Sequence, residues 1–158
     1  MSKIADLLQE IDSKTAHAEV LNIKISKSNV AWHLDHSLKV INSVITVLQK
    51  SEAKTYFWNI NLKRTYFLLR KKIPRGKARA PKSVQSFDII TITSIERQLK
   101  TAQFLIKELE TMNPKISFIH PIIGRLNLKQ AILFLEIHTQ HHLSIIDDIL
   151  KKNPKVNA

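Results

Sequence analysis

Five of the chain's seven histidines fall in two short stretches, Trp32-His33-Leu34-Asp35-His36 and His138-Thr139-Gln140-His141-His142. Neutral imidazole is the commonest protein ligand for a divalent metal. The second stretch gives the sharper signal. On a helix, Leu128, Ala131, Leu135, His138, His142, Ile145 and Ile149 share one seam, and only the two histidines on it are polar. Residues four apart present their imidazoles about one turn apart on one face, a spacing that suits a single ion. One histidine on an apolar face is more often a hydrogen-bonded core residue than a ligand. Two on the same seam each need a buried polar partner, which is harder to supply without a metal. A third histidine from the first stretch, His33 or His36, would complete a three-ligand site between two facing helices.

The residues that are missing narrow the chemistry. Thr139 and Gln140 follow His138 and no glutamate does, so the general base of an H-E-x-x-H motif is missing and a zincin-type protease is not expected. With no cysteine in the chain, there are no thiolate ligands, no cysteine nucleophile and no disulfides. Asp35, Glu136, Asp147 and Asp148 are candidates to orient the imidazoles from behind, although Asp147 and Asp148 read better as solvated.

The elements that must carry these histidines are helical. The chain has 158 residues, 44% of them hydrophobic, with two glycines and five prolines, a composition that favours a few long helices over many short strands. An opening helix over 3–21 puts Ile4, Leu7, Leu8 and Ile11 on one face. Ser28 or Asn29 can cap a helix from Val30 to Gln49, whose two apolar stripes predict burial on most sides. A third helix is expected over Thr55–Lys72, then a basic, proline-interrupted loop over Ile73–Ser86. A fourth spans Phe87–Met112 and ends before Asn113-Pro114. After a short connection with His120-Pro121 and Gly124, the last helix starts behind Asn127 and runs to Lys152. The expected fold is all-α, an up-down four-helix bundle in a single domain over 1–158, with a long basic loop. Trp32 and Trp58 are expected in its core.

No apolar run approaches the roughly 18 residues needed to span a bilayer, and the first residues lack the apolar segment of a secretory signal, so the expected location is cytoplasmic. The 25 Lys+Arg against 13 Asp+Glu give a net charge of +12. Nine of these cations and no acid lie between Lys63 and Lys82. That stretch could meet a phosphate polymer, an anionic lipid or a carboxylate-rich small molecule, or be a solvated helix end and loop. Tyr56, Trp58 and Tyr66 lie nearby, but no nucleic-acid-binding motif accompanies them.

The order of a WHLDH helix, an intervening bundle, His120-Pro121-Ile122-Ile123-Gly124-Arg125-Leu126 and then HTQHH resembles the DinB-like superfamily, and within it a branch of small bacterial proteins with the same HP-x-x-G and H-x-x-HH elements. The resemblance covers about Ser28 to Asp148. It implies a four-helix bundle holding a divalent ion (zinc, nickel or iron) on three histidines, one from the second helix and two from H-x-x-x-H on the last. Carried over by position, the ligands are His36, His138 and His142, with His33 the less favoured choice from its stretch. His141 then falls beside the site or on the surface. His120 falls at the mouth, unless HP-x-x-G is only a turn that aims the last helix. One departure is that Ser144, Ile145 and Ile146 stand where many relatives carry a glutamine. Some relatives are thiol-dependent S-transferases, so the resemblance points to a transferase or hydrolase, with a low-molecular-weight thiol as a candidate substrate. Two other readings stand beside it. One is a non-catalytic, metal-stabilised helical protein, monomer or homodimer. The other is a polyanion-binding module using residues 63–82.

Overall fold

A computed structural model of the chain describes residues 3–53, 60–75 and 89–152. The described residues are mostly helical, with five α-helices, one 3-10 turn and one small hairpin. Helix α1 (Lys3–Lys14) buries Ile4, Leu7, Leu8 and Ile11, the stripe that its sequence spacing predicts. It ends seven residues earlier than expected. The Thr15 hydroxyl donates to the Ile11 carbonyl, and a single 3-10 turn, Thr15–His17, carries the chain away.

The loop that follows returns to the head of α2 (Val30–Gln49). The amides at the start of an α-helix have no partner within it. Here Val30 N–H donates to the Val20 carbonyl and Ala31 N–H to the Ala18 carbonyl. Trp32 N–H donates to Asn29 Oδ1, which makes Asn29 the cap. The entry of α2 is therefore pinned by the loop that precedes it, and with it the rotational setting of His33 and His36.

Helix α3 (Leu62–Arg70) is short, capped by Asn61 and closed by Lys71 in the left-handed conformation. Of its apolar residues and those just before it, Ile60, Leu62 and Leu69 are exposed. The expected start of this helix, with Tyr56, Phe57 and Trp58, lies outside the described residues, as does the basic loop from residue 76 onward. Helix α4 (Ile92–Glu108) begins behind a Thr91/Ser94 capping box, and tight turns at Leu109 and Thr111 close it before Asn113-Pro114.

The connection before the last helix is a β-hairpin, which corrects the strictly all-α expectation. Strand β1 (Ser117–His120) pairs antiparallel with β2 (Gly124–Asn127), with Ser117 opposite Asn127 and His120 opposite Gly124. Three residues turn the chain, and Gly124 follows at φ +74°, the left-handed position that closes such a loop. Strand β2 ends on Asn127, whose side chain caps α5 (Leu128–Lys151) in a capping box with Gln130. The hairpin thus runs directly into the helix that it aims.

Helix α2 packs against α4 and α5, and α1 packs against the same two. Leu34, Leu38, Ile41, Ile45 and Leu48 of α2 and Leu135, Leu143 and Ile149 of α5 are fully or almost fully buried in the shared core. Among the described residues no helix is long and apolar enough to cross a membrane.

Candidate metal centre

The α2–α5 contact brings the two histidine stretches together. Nitrogens from His36, His138 and His142 all lie within 4.8 Å of one another. Ring centroids are 5.1 Å apart for His36 and His138, 4.8 Å for His36 and His142, and 4.7 Å for His138 and His142. Three nitrogens on one zinc tetrahedron, each at about 2.0–2.1 Å from the metal, stand about 3.3 Å apart. His33 is nearby but is not one of the three.

The donor set fits a metal. His36 is 4% exposed and His142 7%, while His138 is half-buried. His138 Nδ1 is nevertheless buried with no hydrogen-bond partner. A buried polar atom left without a partner carries a desolvation cost, and a metal ion is one way to satisfy it. The protonation state fits as well. Burial first, then the neighbouring histidines, pushes His138 and His142 well below the ordinary imidazole range. Both are therefore in the neutral, ligating form at pH 7.

A hydrogen-bonded chain runs outward from His142. Its Nδ1 lies 3.0 Å from Nδ1 of His33, and Nε2 of His33 lies 3.0 Å from Ser26 Oγ. Ser26 Oγ also accepts the Ser28 N–H at 3.0 Å. Two neutral imidazoles in contact must offer one N–H and one lone pair. With His142 as the donor, His33 receives at Nδ1 and passes its own Nε2–H to Ser26. Nε2 of His142 then keeps a free lone pair, as a ligand must. His33 is held neutral for this: burial, followed by the charges of His36, His141 and Arg75, lowers its pKa to about 4.

Trp32 was expected in the core and is only half-buried. It stacks on His36 at 5.0 Å with the ring planes 13° apart, and meets His33 edge-on at 5.1 Å. Phe134, one turn before His138, packs against it at 5.6 Å. Apolar rings therefore flank the imidazoles on both helices. Trp32 also borders an open depression with Glu19, Leu21, Lys27, Ile89 and Ile90.

The other expected residues do different work. His120 Nδ1 accepts the Ile122 and Ile123 amides at 3.1 and 3.3 Å, and its ring packs on Phe134 at 4.7 Å. It therefore fastens the hairpin turn. The half-buried His141 meets His142 edge-on at 5.2 Å, and burial together with Arg75 lowers its pKa. The carboxylates serve as ties: Asp35 receives Gln98 and Lys39, Asp147 receives Lys14, and Asp148 receives Arg75. Arg75 also reaches Ser144, which seats one cation of the basic stretch on α5.

Sequence reasoning missed Ser26, Trp32, Phe134 and Arg75 as neighbours of this centre. The spacing of Trp32 and Phe134, each four residues before a histidine of the cluster, could have found those two. Nothing local marks Ser26 or Arg75. Comparison with protein-family models, with curated proteins and with solved structures gives no match.

Proposed function

We propose that the chain is a divalent-metal-dependent enzyme of the DinB-like superfamily, built on an up-down four-helix bundle. In this reading His36, His138 and His142 hold zinc, nickel or iron, and the reaction is thiol S-transfer or hydrolysis. The observation that carries it is the convergence of three imidazoles within 4.8 Å, one of them with an orphaned buried nitrogen, on the apolar contact of α2 with α5.

A divalent ion on three neutral imidazoles keeps a position open and lowers the pKa of a water or thiol towards neutrality. The chain's own residues prepare that site. With His142 donating its Nδ1–H to Nδ1 of His33, the Nε2 lone pair of His142 is left free to bind the ion. Ser26, bonded to Ser28, holds His33 in turn. Trp32 and Phe134 pack apolar rings against His36 and His138, which lowers the polarity on those sides of the imidazoles. Coupled to the low proton affinity of His138 and His142, this favours a metal over a proton as their partner at pH 7.

The test is turnover of an activated electrophile by a low-molecular-weight thiol, and of an activated ester by water, with zinc or nickel added and then chelated. Metal-dependent turnover that His142→Ala abolishes supports the proposal. Melting that metal raises, with no turnover of either kind, would make the centre a structural metal site and remove the catalytic part.

A further inference from the structure

The outer face of α3 lies apart from the histidine centre and exposes several large apolar side chains on one short helix. Two inward side chains hold the helix down. Arg64, only 7% exposed, donates from Nη1 to the Arg125 carbonyl at 2.6 Å, and Phe67 packs on Phe134 at 6.1 Å. At its start, a Cβ added to Gly124 would meet Asn61 Nδ2 at 3.0 Å, so the hairpin turn lies directly beside the cap of α3.

Outward, Leu62, Tyr66 and Leu69 recur at i, i+4 and i+7 with exposures of 79%, 63% and 77%. Ile60, just before the cap, and Ile122, on the adjoining hairpin turn, are exposed too. Exposed Lys63, Arg70, Lys71 and Lys72 stand among these side chains. From Ala53 to Phe87 the sequence has no acid. An exposed apolar stripe edged by cations alone is the composition of a helix that lies in a membrane–water interface.

We propose that the outer face of α3, with Ile60 and Ile122, docks on an anionic lipid bilayer surface, its apolar side chains entering the headgroup region and its lysines and arginines meeting lipid phosphates. Charge complementarity selects this occupant. A second copy of the same face would set Lys63, Arg70, Lys71 and Lys72 against their own counterparts, which like charges oppose. A nucleic acid would satisfy the cations and leave Leu62 and Leu69 with nothing apolar to enter. A bilayer interface takes both kinds of side chain. The proposal is independent of any metal at the histidine centre.

The full chain is sedimented with vesicles of phosphatidylcholine alone and with vesicles that also contain phosphatidylglycerol. The Leu62→Ser/Leu69→Ser variant is run beside it; both positions are exposed, so it should keep its circular-dichroism spectrum. The expected result is binding to the anionic vesicles at least tenfold tighter than to the neutral ones. The leucine variant should weaken it by on the order of tenfold or more, and salt should weaken it further. No binding to anionic vesicles overturns the proposal. So does binding that salt abolishes and the leucine variant does not alter, especially if duplex DNA binds as tightly. Self-association of the wild-type chain that the leucine variant abolishes also overturns it, by making the face an interface between copies.

Discussion

The histidine centre and the outer face of α3 break the ordinary distribution of polar and apolar side chains in opposite directions. At the centre, imidazoles sit where a core would place leucine, and His33, His36 and His142 are buried. On α3, leucines sit where a surface would place lysine. The first departure is supported from within: Ser28, Ser26, His33 and His142 form a hydrogen-bonded chain, and aromatic rings flank the result. The second is edged by cations, one of which, Arg70, lies over the Tyr66 ring at 5.6 Å. Buried polar groups ask for a partner inside the fold, whereas a contiguous exposed apolar surface asks for one outside.

The largest expected effect that separates the two regions is in metal-dependent melting. An ion present at a thousand times its dissociation constant adds about 4 kcal/mol to the folded state. His36→Ala should remove that increment, and Leu62→Ser should leave it whole, as read by thermal unfolding with and without zinc. The next effect belongs to His33. It keeps all three ligands in place, yet His33→Ala should weaken zinc binding by about 10–100-fold, the range for partners that orient a ligand. A competition titration measures it. Nitrogen chemical shifts should place the proton of metal-loaded His142 on Nδ1, which a purely packing role for His33 does not require.

Acid gives a third contrast, in metal-free protein. His33, His138 and His142 have folded pKa values below the unfolded 6.5. As pH falls through 6.5 the unfolded chain takes up protons that the folded chain refuses, so stability present above 6.5 is lost on acidification. The slope is about 1.4 kcal/mol per pH unit for each such histidine, and for His33 it continues down to about pH 4. Denaturant unfolding between pH 7 and pH 5 should show it in the wild type and in the α3 variants alike. The smallest effect is on α3 itself: Leu62→Ser and Leu69→Ser should each change stability by no more than about 0.5 kcal/mol, because neither is packed.

The histidine helices were the most legible part of the sequence. Both of their starts carry a capping asparagine, Asn29 and Asn127, whose chemistry is local, and their apolar seams are long enough to fix the face. That also made His138 and His142 readable, since i, i+4 spacing on a seam is a one-dimensional signal. The choice between His33 and His36 was not readable from spacing. It depends on how α2 is rotated against α5, which the Val20 and Ala18 carbonyls help to set from outside the helix. The hairpin was missed because its strands are only four residues each, too short for an alternating pattern to stand out. Its turn is also closed by a side chain, His120 Nδ1 accepting the Ile122 and Ile123 amides, whereas the sequence reading places His120 at the mouth of the metal site. The end of α1 depended on one hydroxyl, Thr15, turning back on its own helix. For α3, an apolar helical pattern reads as packing, and whether a partner covers it is not written in the pattern.

The central claim is that His36, His138 and His142 hold one metal ion. Elemental analysis of untagged protein, beside the His138→Ala/His142→Ala variant, tests it most directly. The account predicts close to one divalent ion per chain, in the protein as purified or after adding zinc or nickel, and none in the variant. Metal-free protein that takes up neither ion, or a variant that retains the wild-type content, would contradict it and leave these histidines as polar residues of the core.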